Sequence, residues 1–399
     1  MEISEERLKA NYETLVRVAG DGVAVLAVVK ADAYGHGATL CAPVLARAGV
    51  EWLGVTDAEE GAAVRAALTT SGILAQRQPK IMLMSGLLRE DAEAIVQQGL
   101  TPVVWNRQQM EWLSEAVVRS NGASPLVVHL EIDTGMARQG IAPGEELRTL
   151  LHWLASQSNL RLDGVMTHFA SSEVADSSLT LHQRKRFEEA LRAVMDAGLH
   201  PGWVHAGNSS TVDNSSISDR DRGSLVWLRE VARVFGAQAM VRTGLALYGY
   251  CLPIEGAKAL LRPDIRSVLT WKARVIGVRE VDAGDTVGYN AIFTARKPMR
   301  LALLPVGYAD GLRRELSGPD EVPGGWVMVR GQRAMIVGRV SMNLTIVDVT
   351  DIPGVTVGDE AVLLGDGITA DDHARLAHTI AYDIVCGMRA ESRLVNAAD

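Results

Sequence analysis

The chain has few cysteines and lacks a long apolar run, and each shortage excludes a class of protein. Its 399 residues contain three cysteines, Cys41, Cys251 and Cys386, which lack the paired spacing of a zinc site or a disulfide framework. No apolar run approaches the roughly 18 residues of a membrane-spanning helix. The acidic start MEISEERLKA is unlike a signal peptide. We therefore expect a soluble, cytoplasmic protein from a reducing compartment.

The chain also lacks an excess of positive charge. Its 48 acidic and 40 basic residues give a formal net charge of −8. A sequence-independent nucleic-acid binder needs a basic face, and neither a basic run nor a base-stacking aromatic motif is present. We expect no nucleic-acid partner and no membrane partner.

Residues 1–250 alternate short apolar runs with helical patterns such as DAEEGAAVRAAL and NRQQMEWLSEAVVR. Eight βα units in about 250 residues predict an N-terminal (β/α)8 barrel of the TIM type. A doubly wound open sheet is the alternative. The predicted strands are 23–30, 52–56, 80–84, 101–104, 126–132, 163–168, 203–206 and 238–242.

Residues 251–399 have a different sequence pattern. β-branched segments such as SVLTWKARVIGVREV and LTIVDVT are separated by Gly, Pro and Asp turns. This pattern predicts a C-terminal mostly-β domain after the α/β barrel. Residues 210–236, between the seventh and eighth strands, are polar at their start and predict a surface excursion before a helix.

The first predicted strand ends in a lysine. Seven consecutive apolar residues, Val23 to Val29, run directly into Lys30. The carboxyl ends of barrel strands carry the active site, and an amine desolvated there becomes a nucleophile suited to Schiff-base formation with a carbonyl. Position alone favours a different interpretation, in which the lysine only lies along the surface with its ammonium in water.

The loops after the seventh and eighth strands suit a phosphate group. They read HAGNSS and RTGLALYG, and supply small residues, hydroxyls and free backbone N–H groups. Barrels of this kind often bind phosphate at these two loops. Gly and Ser also form ordinary turns, so neither loop is diagnostic by itself. Together with Lys30 they favour a pyridoxal phosphate site.

Nine short motifs, in order along nearly the whole chain, resemble those of the alanine racemase family. They are AVVKADAYGHGA, DTGMARQG, THFA, GNSS, RTGLALYG, VGYNAIFTA, LPVGYADGL, GRVSMN and TIAYDIVCGMR. The resemblance implies a fold-type III enzyme that uses pyridoxal 5'-phosphate and interconverts L- and D-alanine. It further implies D-alanine supply for peptidoglycan and a homodimer with composite active sites.

The resemblance assigns a catalytic base to each face of the substrate Cα. Lys30 would bind the cofactor covalently and serve one face. Tyr289, from the C-terminal domain of the other subunit, would serve the opposite face. A phenol with a pKa near 10 is a weak base at neutral pH, so positive charge must favour the phenolate. The family's arrangement of Arg242 and His168 supplies that charge.

The resemblance also implies binding residues. Arg242 would face the pyridine nitrogen and hydrogen-bond towards His168, and a guanidinium cannot readily accept a proton, so that nitrogen would stay unprotonated. Arg138 would bind the substrate carboxylate and the cofactor, with Met342 and Tyr308 completing the substrate site. The remaining cofactor contacts would be Tyr34, Asn208, Ser209, Gly244, Leu245 and Tyr382. No metal site is predicted, and His36 and His205 are expected to satisfy backbone groups.

Three positions depart from the family pattern. Many members have a lysine, often carbamylated, where Glu131 stands, and we expect Glu131 to supply the anion that positions Arg138. Asn343 stands in place of an aspartate, which removes a charge near Lys30, and Glu173 replaces an aspartate at the entrance. These departures leave open a serine or broad-specificity racemase. A fold-type III decarboxylase and a non-catalytic pyridoxal phosphate carrier are further alternatives.

Overall fold

The computed structural model describes residues 1–121, 124–214, 223–262, 264–320 and 322–396. These residues pack into two compact units. The barrel unit comprises Leu8–Ala33 and Ala38–Arg266. The C-terminal unit comprises Met1–Arg7, with strand β1 (Glu2–Ser4), the short segment Tyr34–Gly37, and the chain from Ser267 onward.

The barrel unit contains a closed barrel of eight parallel strands, so the predicted (β/α)8 fold is confirmed. Each strand pairs with its neighbours in sequence, and the last strand closes against the first. The predicted strand 23–30 ends earlier, at Val28, because Lys30 begins a helical turn. The strands are β2 (Val23–Val28), β3 (Trp52–Val55), β4 (Lys80–Leu83), β5 (Thr101–Val104), β6 (Leu126–Glu131), β7 (Leu160–Met166), β8 (Trp203–His205) and β9 (Gln238–Thr243).

The helices that accompany these strands are amphipathic. In Arg107–Arg119, for example, Met110, Leu113 and Val117 are buried at helical spacing, and Asn106 caps the start by accepting a hydrogen bond from the backbone of Gln109. Within the described residues, every helix is too short or too polar to span a bilayer. The helices are α1 (Glu5–Ala19), α2 (Lys30–Gly35), α3 (Ala38–Arg47), α4 (Ala58–Thr70), α5 (Ala92–Gln97), α6 (Arg107–Arg119), α7 (Glu145–Ala155), α8 (Ser178–Asp196), α9 (Ser209–Asp213) and α10 (Ser224–Val234).

The predicted excursion at 210–236 contains α9 and α10. Residues 215–222, at its centre, lie outside the described part of the chain.

The C-terminal unit is mostly β, as predicted. It has a six-stranded, a three-stranded and a two-stranded sheet, and β1 lies inside the six-stranded sheet, between a strand antiparallel to it and one parallel to it. Two helices lie near the end of this unit, α11 (Ala370–Leu376) and α12 (Ala381–Gly387). The strands are β10 (Leu269–Arg274), β11 (Gly277–Val281), β12 (Thr286–Val287), β13 (Phe293–Thr294), β14 (Met299–Leu304), β15 (Trp326–Val329), β16 (Gln332–Met335), β17 (Thr345–Asp348), β18 (Glu360–Leu364) and β19 (Arg393–Val395).

The barrel interior holds a buried histidine at a place where the neighbouring strand has no side chain. The ring of His129, on β6, is fully buried and lies 5.3 Å from the ring of Trp52, centroid to centroid. A Cβ on Gly164 of β7 would overlap with Nδ1 of His129. The glycine therefore makes room for the imidazole.

We expect Gly164→Ala to lower the free energy of unfolding by about 1–3 kcal/mol, because the added methyl overpacks the barrel interior. Chemical denaturation followed by circular dichroism measures this. Gly202→Ala is the matched control, since a Cβ there meets atoms only at ordinary contact distance. It should change stability by less than about 0.5 kcal/mol. Equal effects of the two substitutions would contradict the packing argument.

Candidate active site

The turn that follows β2 has an unusual backbone. Ala31, Asp32, Ala33 and Tyr34 all have φ between 51° and 55°, so α2 is wound left-handed. Left-handed helix costs L-residues roughly 1–2 kcal/mol each. Such a conformation persists only where surrounding contacts hold it, and it is typical of functional sites. The chain therefore passes from β2 through Lys30 directly into a strained turn.

Hydrogen bonds hold this turn at several points. The N–H of Ala33 donates to the carbonyl oxygen of Val29 at 2.8 Å. The N–H of Ala38 donates to the Asp32 carboxylate at 2.7 Å, and the N–H of Ala31 donates to a carboxylate oxygen of Glu60 at 2.7 Å. Backbone and side-chain acceptors together define the path of the chain just after Lys30.

The end of the turn packs within the C-terminal unit. The ring of Tyr34 lies 5.8 Å from that of Tyr382, centroid to centroid. A Cβ on Gly35, whose φ is 79°, would overlap with the carbonyl oxygen of Val385, so only glycine fits. Burial, with smaller contributions from Tyr382 and Cys386, raises the pKa of Tyr34. Tyr34 is therefore a neutral phenol at physiological pH.

Arg242, on β9, is the centre of a buried hydrogen-bond network. One terminal nitrogen donates to the carbonyl oxygen of Thr167 at 2.8 Å and lies 3.2 Å from Nδ1 of His168. The other lies 3.4 Å from Nδ1 of His205. Burial lowers the pKa of Arg242 to about 10, with Glu131 acting in the opposite direction, so the guanidinium remains charged at neutral pH.

The guanidinium determines which nitrogen of each histidine carries the proton. Arginine has donors and no acceptor, so Nδ1 of both His168 and His205 must accept. The proton of each ring is then on Nε2. Nε2 of His205 lies 2.9 Å from Nδ1 of His129, to which it donates. The expectation that His205 satisfies backbone groups was wrong, whereas Nδ1 of His36 does meet the carbonyl oxygen of Tyr34.

The three rings stay neutral because burial and nearby positive charge disfavour the imidazolium form. Burial is the main cause that lowers the pKa of His129 and of His168 to about 3 and that of His205 well below its usual value. For His168 the positive charges of Arg242, Arg138 and Lys30 lower the pKa further. These four predicted site residues therefore come together at the carboxyl end of the barrel.

The loop that carries Arg138 is organised by an aspartate. One carboxylate oxygen of Asp133 accepts the N–H groups of Gly135, Met136 and Ala137 at 3.0, 3.0 and 3.1 Å. Burial raises the pKa of Asp133, but these three bonds outweigh it and the net shift is downward. The exposed Arg138 follows directly. This geometry explains the aspartate of the DTGMAR motif as a loop-forming residue.

Glu131 is buried at the end of β6, and its carboxylate accepts a hydrogen bond from the amide of Gln139. The same amide donates to the carbonyl oxygen of Met84 at 2.9 Å. Burial is the largest cause that raises the pKa of Glu131, and the charge of Arg138 lowers it. The carboxylate therefore bonds to the residue next to Arg138, and its expected effect on Arg138 stays a prediction.

The residues predicted to bind phosphate lie together after β8 and β9. The hydroxyl of Ser209 accepts the N–H groups of Gly244 and Ala246 at 3.1 and 3.2 Å. Asn208 caps α9 by accepting the N–H of Thr211. Leu245 is buried beside them at the start of a 3₁₀ turn. The two loops thus form one cluster of hydroxyl and backbone groups.

In the C-terminal unit, Tyr289, Tyr308, Arg314 and Met342 line one cavity of about 440 Å³. Tyr289 is 67% exposed and stands in a 3₁₀ turn next to Asn290, whose φ is 61°. The N–H of Tyr308 donates to the carbonyl oxygen of Ser341 at 3.0 Å. This bond brings the Tyr308 turn beside Met342, which is followed by the exposed Asn343.

Sequence reasoning missed Gln183, a fully buried polar residue of α8. Its amide donates to the hydroxyl of Thr134 at 3.1 Å and to the carbonyl oxygen of His168 at 2.8 Å, and it accepts the N–H of Ala170. It therefore holds the segment that carries His168. The sequence did contain an indication of this role, since Gln183 is a polar residue between Thr180 and Phe187 on the buried face of the helix.

The histidine pKa shifts predict an acid-sensitive fold. Because the pKa values of His129 and His168 lie near 3 when folded and near 6.5 when unfolded, the unfolded chain binds more protons below pH 6.5. The contribution of these two neutral histidines to the free energy of unfolding is complete above pH 6.5. It is lost as the pH falls towards 3, by up to about 1.4 kcal/mol per pH unit for each histidine. Denaturation midpoints between pH 7 and 4 measure this. His129→Gln should flatten the dependence, and parallel wild-type and mutant curves would contradict it.

Comparison with known proteins agrees with this geometry. Residues 3–252 match the model of the alanine racemase N-terminal domain, and residues 268–395 match that of the C-terminal domain. An alanine racemase of Sorangium cellulosum is 38% identical over 369 residues, which is 90% of this chain and 87% of that protein. The structure of alanine racemase from Streptomyces coelicolor A3(2) superposes with a TM-score of 0.84 at 31% identity, over 99% of this chain and 97% of that one.

A crystal structure of alanine racemase from Bartonella henselae with covalently bound pyridoxal phosphate is also similar. It has a TM-score of 0.79 at 27% identity and covers 99% of this chain and 98% of that one. Both domain models match in order and together span most of the chain. This chain belongs to the alanine racemase family.

Proposed function

We propose that this enzyme interconverts L- and D-alanine with pyridoxal 5'-phosphate as its cofactor. The main support for the proposal is that, in a chain of this family, three positively charged side chains surround His168. Lys30 begins the left-handed turn that follows β2, and its charge acts on His168 together with those of Arg242 and Arg138. Geometry of this kind suits a reaction in which a proton is moved at a substrate carbon next to a carboxylate.

The described residues fit the cofactor. Lys30 offers an amine for its carbonyl carbon. A guanidinium has five N–H donors, and the bonds of Arg242 described above use three, so donors remain for a pyridine nitrogen. The Ser209 hydroxyl accepts two N–H groups and keeps its own proton for a phosphate oxygen. When bound, the cofactor withdraws electrons from the substrate Cα and so acidifies its proton.

The chain's own residues then move that proton. The Lys30 amine would take it from, or return it to, one face of Cα, and the Tyr289 phenol would act on the opposite face. Because Nδ1 of His168 accepts from Arg242, its Nε2 carries the proton and would donate it in a hydrogen bond to the Tyr289 oxygen. Arg138 and the backbone N–H of Met342 would hold the substrate carboxylate, with Tyr308 completing the substrate site and Tyr382 contacting the cofactor.

Two copies of the chain would assemble to complete the site. Residues 1–250 would bind the cofactor, and residues 251–399 would contribute Tyr289 to the partner subunit. The exposed fractions of Tyr289, Tyr308 and Met342 are 67%, 44% and 55%. Large apolar side chains clustered on a surface mark an interaction site. We infer that the homodimer acts in the cytoplasm, where its D-alanine would supply peptidoglycan synthesis.

Proton exchange at Cα in deuterated water, followed by NMR with L-alanine and then L-serine, tests this function. We expect the wild type to exchange and invert alanine, and Lys30→Ala to do neither. Tyr289→Phe should invert at least about 100-fold more slowly, because it removes one of the two bases. The serine rate measures the substrate preference.

The control is Tyr12→Phe, which removes a hydroxyl on α1, outside the proposed site, and should leave inversion unchanged. Exchange of alanine without inversion by the wild type would contradict the role of Tyr289. A decarboxylase or a non-catalytic carrier would then be the better interpretation.

A further inference from the structure

The carboxylate of Glu60 joins the ends of two barrel strands. One of its oxygens accepts the N–H of Ala31 at 2.7 Å, and the other accepts the N–H of Thr56 at 2.8 Å. Ala31 is the residue after Lys30, and Thr56 is the residue after β3. Both bonds are charge-assisted, which makes them stronger than neutral hydrogen bonds.

Glu60 is itself held in place. It is the third residue of α4, and its backbone N–H donates to the side chain of the N-cap residue Asp57 at 2.9 Å. A carboxylate in the first turn of a helix is also stabilised by the helix dipole. The side chain therefore reaches the two strand ends from a fixed position.

The strained turn needs such a contact at this point. Ala31 is the first of the four residues with positive φ, and its N–H sets the direction in which the chain leaves Lys30. The bonds at Val29 and Asp32 restrain the later part of the turn. The Glu60 bond acts at the peptide group that Lys30 shares with Ala31.

We propose that Glu60 is a positioning residue for Lys30. By holding the N–H of Ala31 against the neighbouring strand end, it maintains the left-handed turn and aims the Lys30 amine at the substrate Cα. This inference rests on the proposed function, in which Lys30 is one of the two bases. Glu60 acts through the backbone and touches neither substrate nor cofactor.

Glutamine is the informative replacement. The amide of Glu60→Gln has one acceptor oxygen, so it can satisfy either Ala31 or Thr56 and would turn an N–H₂ group towards the other donor. The matched control is Glu59→Gln. It removes the same charge from the same helical turn, at an exposed position beside Glu60.

For racemisation of L-alanine by the holoenzyme we expect Glu60→Gln to lower kcat by about 10- to 100-fold, as small displacements of a catalytic group do. KM should change much less, because the substrate contacts are elsewhere. Glu60→Asp, which keeps both oxygens on a shorter side chain, should retain more activity than Glu60→Gln. Glu59→Gln should match the wild type.

A second measurement is independent of turnover. Hydrogen exchange of the amides at 29–37, measured on the holoenzyme, should be faster in Glu60→Gln and unchanged in Glu59→Gln. The pH titration of the bound cofactor's visible absorbance should shift in Glu60→Gln only, since that absorbance reports on Lys30.

Unchanged amide exchange and absorbance in Glu60→Gln would overturn the inference, and so would a loosened turn with normal kcat. Either result leaves the proposed function intact, provided that the wild type racemises and Lys30→Ala does not. Failure of the wild type to racemise would instead overturn the function on which the inference rests.

Discussion

The interaction on which the rest of the site depends is the pair of hydrogen bonds that buried Arg242 donates to the imidazoles of His168 and His205. A guanidinium remains protonated even where burial lowers its pKa to about 10. It therefore imposes an acceptor role on the nearest nitrogen of each ring. The Nε2–H of His205 then donates to Nδ1 of His129 in the middle of the barrel. The Nε2–H of His168 likewise remains a donor.

Closure of the barrel brings Lys30 and Arg242 to the same part of the site. Strand β9 pairs with β2, and Leu26 lies opposite Arg242 in the register. Lys30 and the guanidinium therefore emerge from neighbouring strands at the same end of the barrel. The lysine is aimed by the turn after β2, whose left-handed residues are restrained by Val29, Asp32 and Glu60. Strand pairing sets the distance between these groups, and local hydrogen bonds set the direction.

Much of this could be predicted from the sequence, for physical reasons. Buried parallel strands are continuous apolar runs, so all eight were found, and the motif residues Lys30, Arg138, His168 and Arg242 fell at strand ends and in the loops that follow. The left-handed turn was missed because Ala, Asp, Ala and Tyr carry no signature of positive φ, which glycine would have provided. His129 and His205 are 76 residues apart in the chain, and the sequence around either histidine does not indicate that they are in contact. The pairing of β1 with β10 was hidden for the same reason.

The most direct test of this account is a ¹⁵N NMR measurement of the histidine tautomers in the holoenzyme at pH 7. If Arg242 donates to both rings, His168, His205 and His129 will be neutral and will carry their protons on Nε2. Spectra that show His168 or His205 as an imidazolium, or with its proton on Nδ1, would contradict the account, since in neither form can Nδ1 accept the hydrogen bond from Arg242.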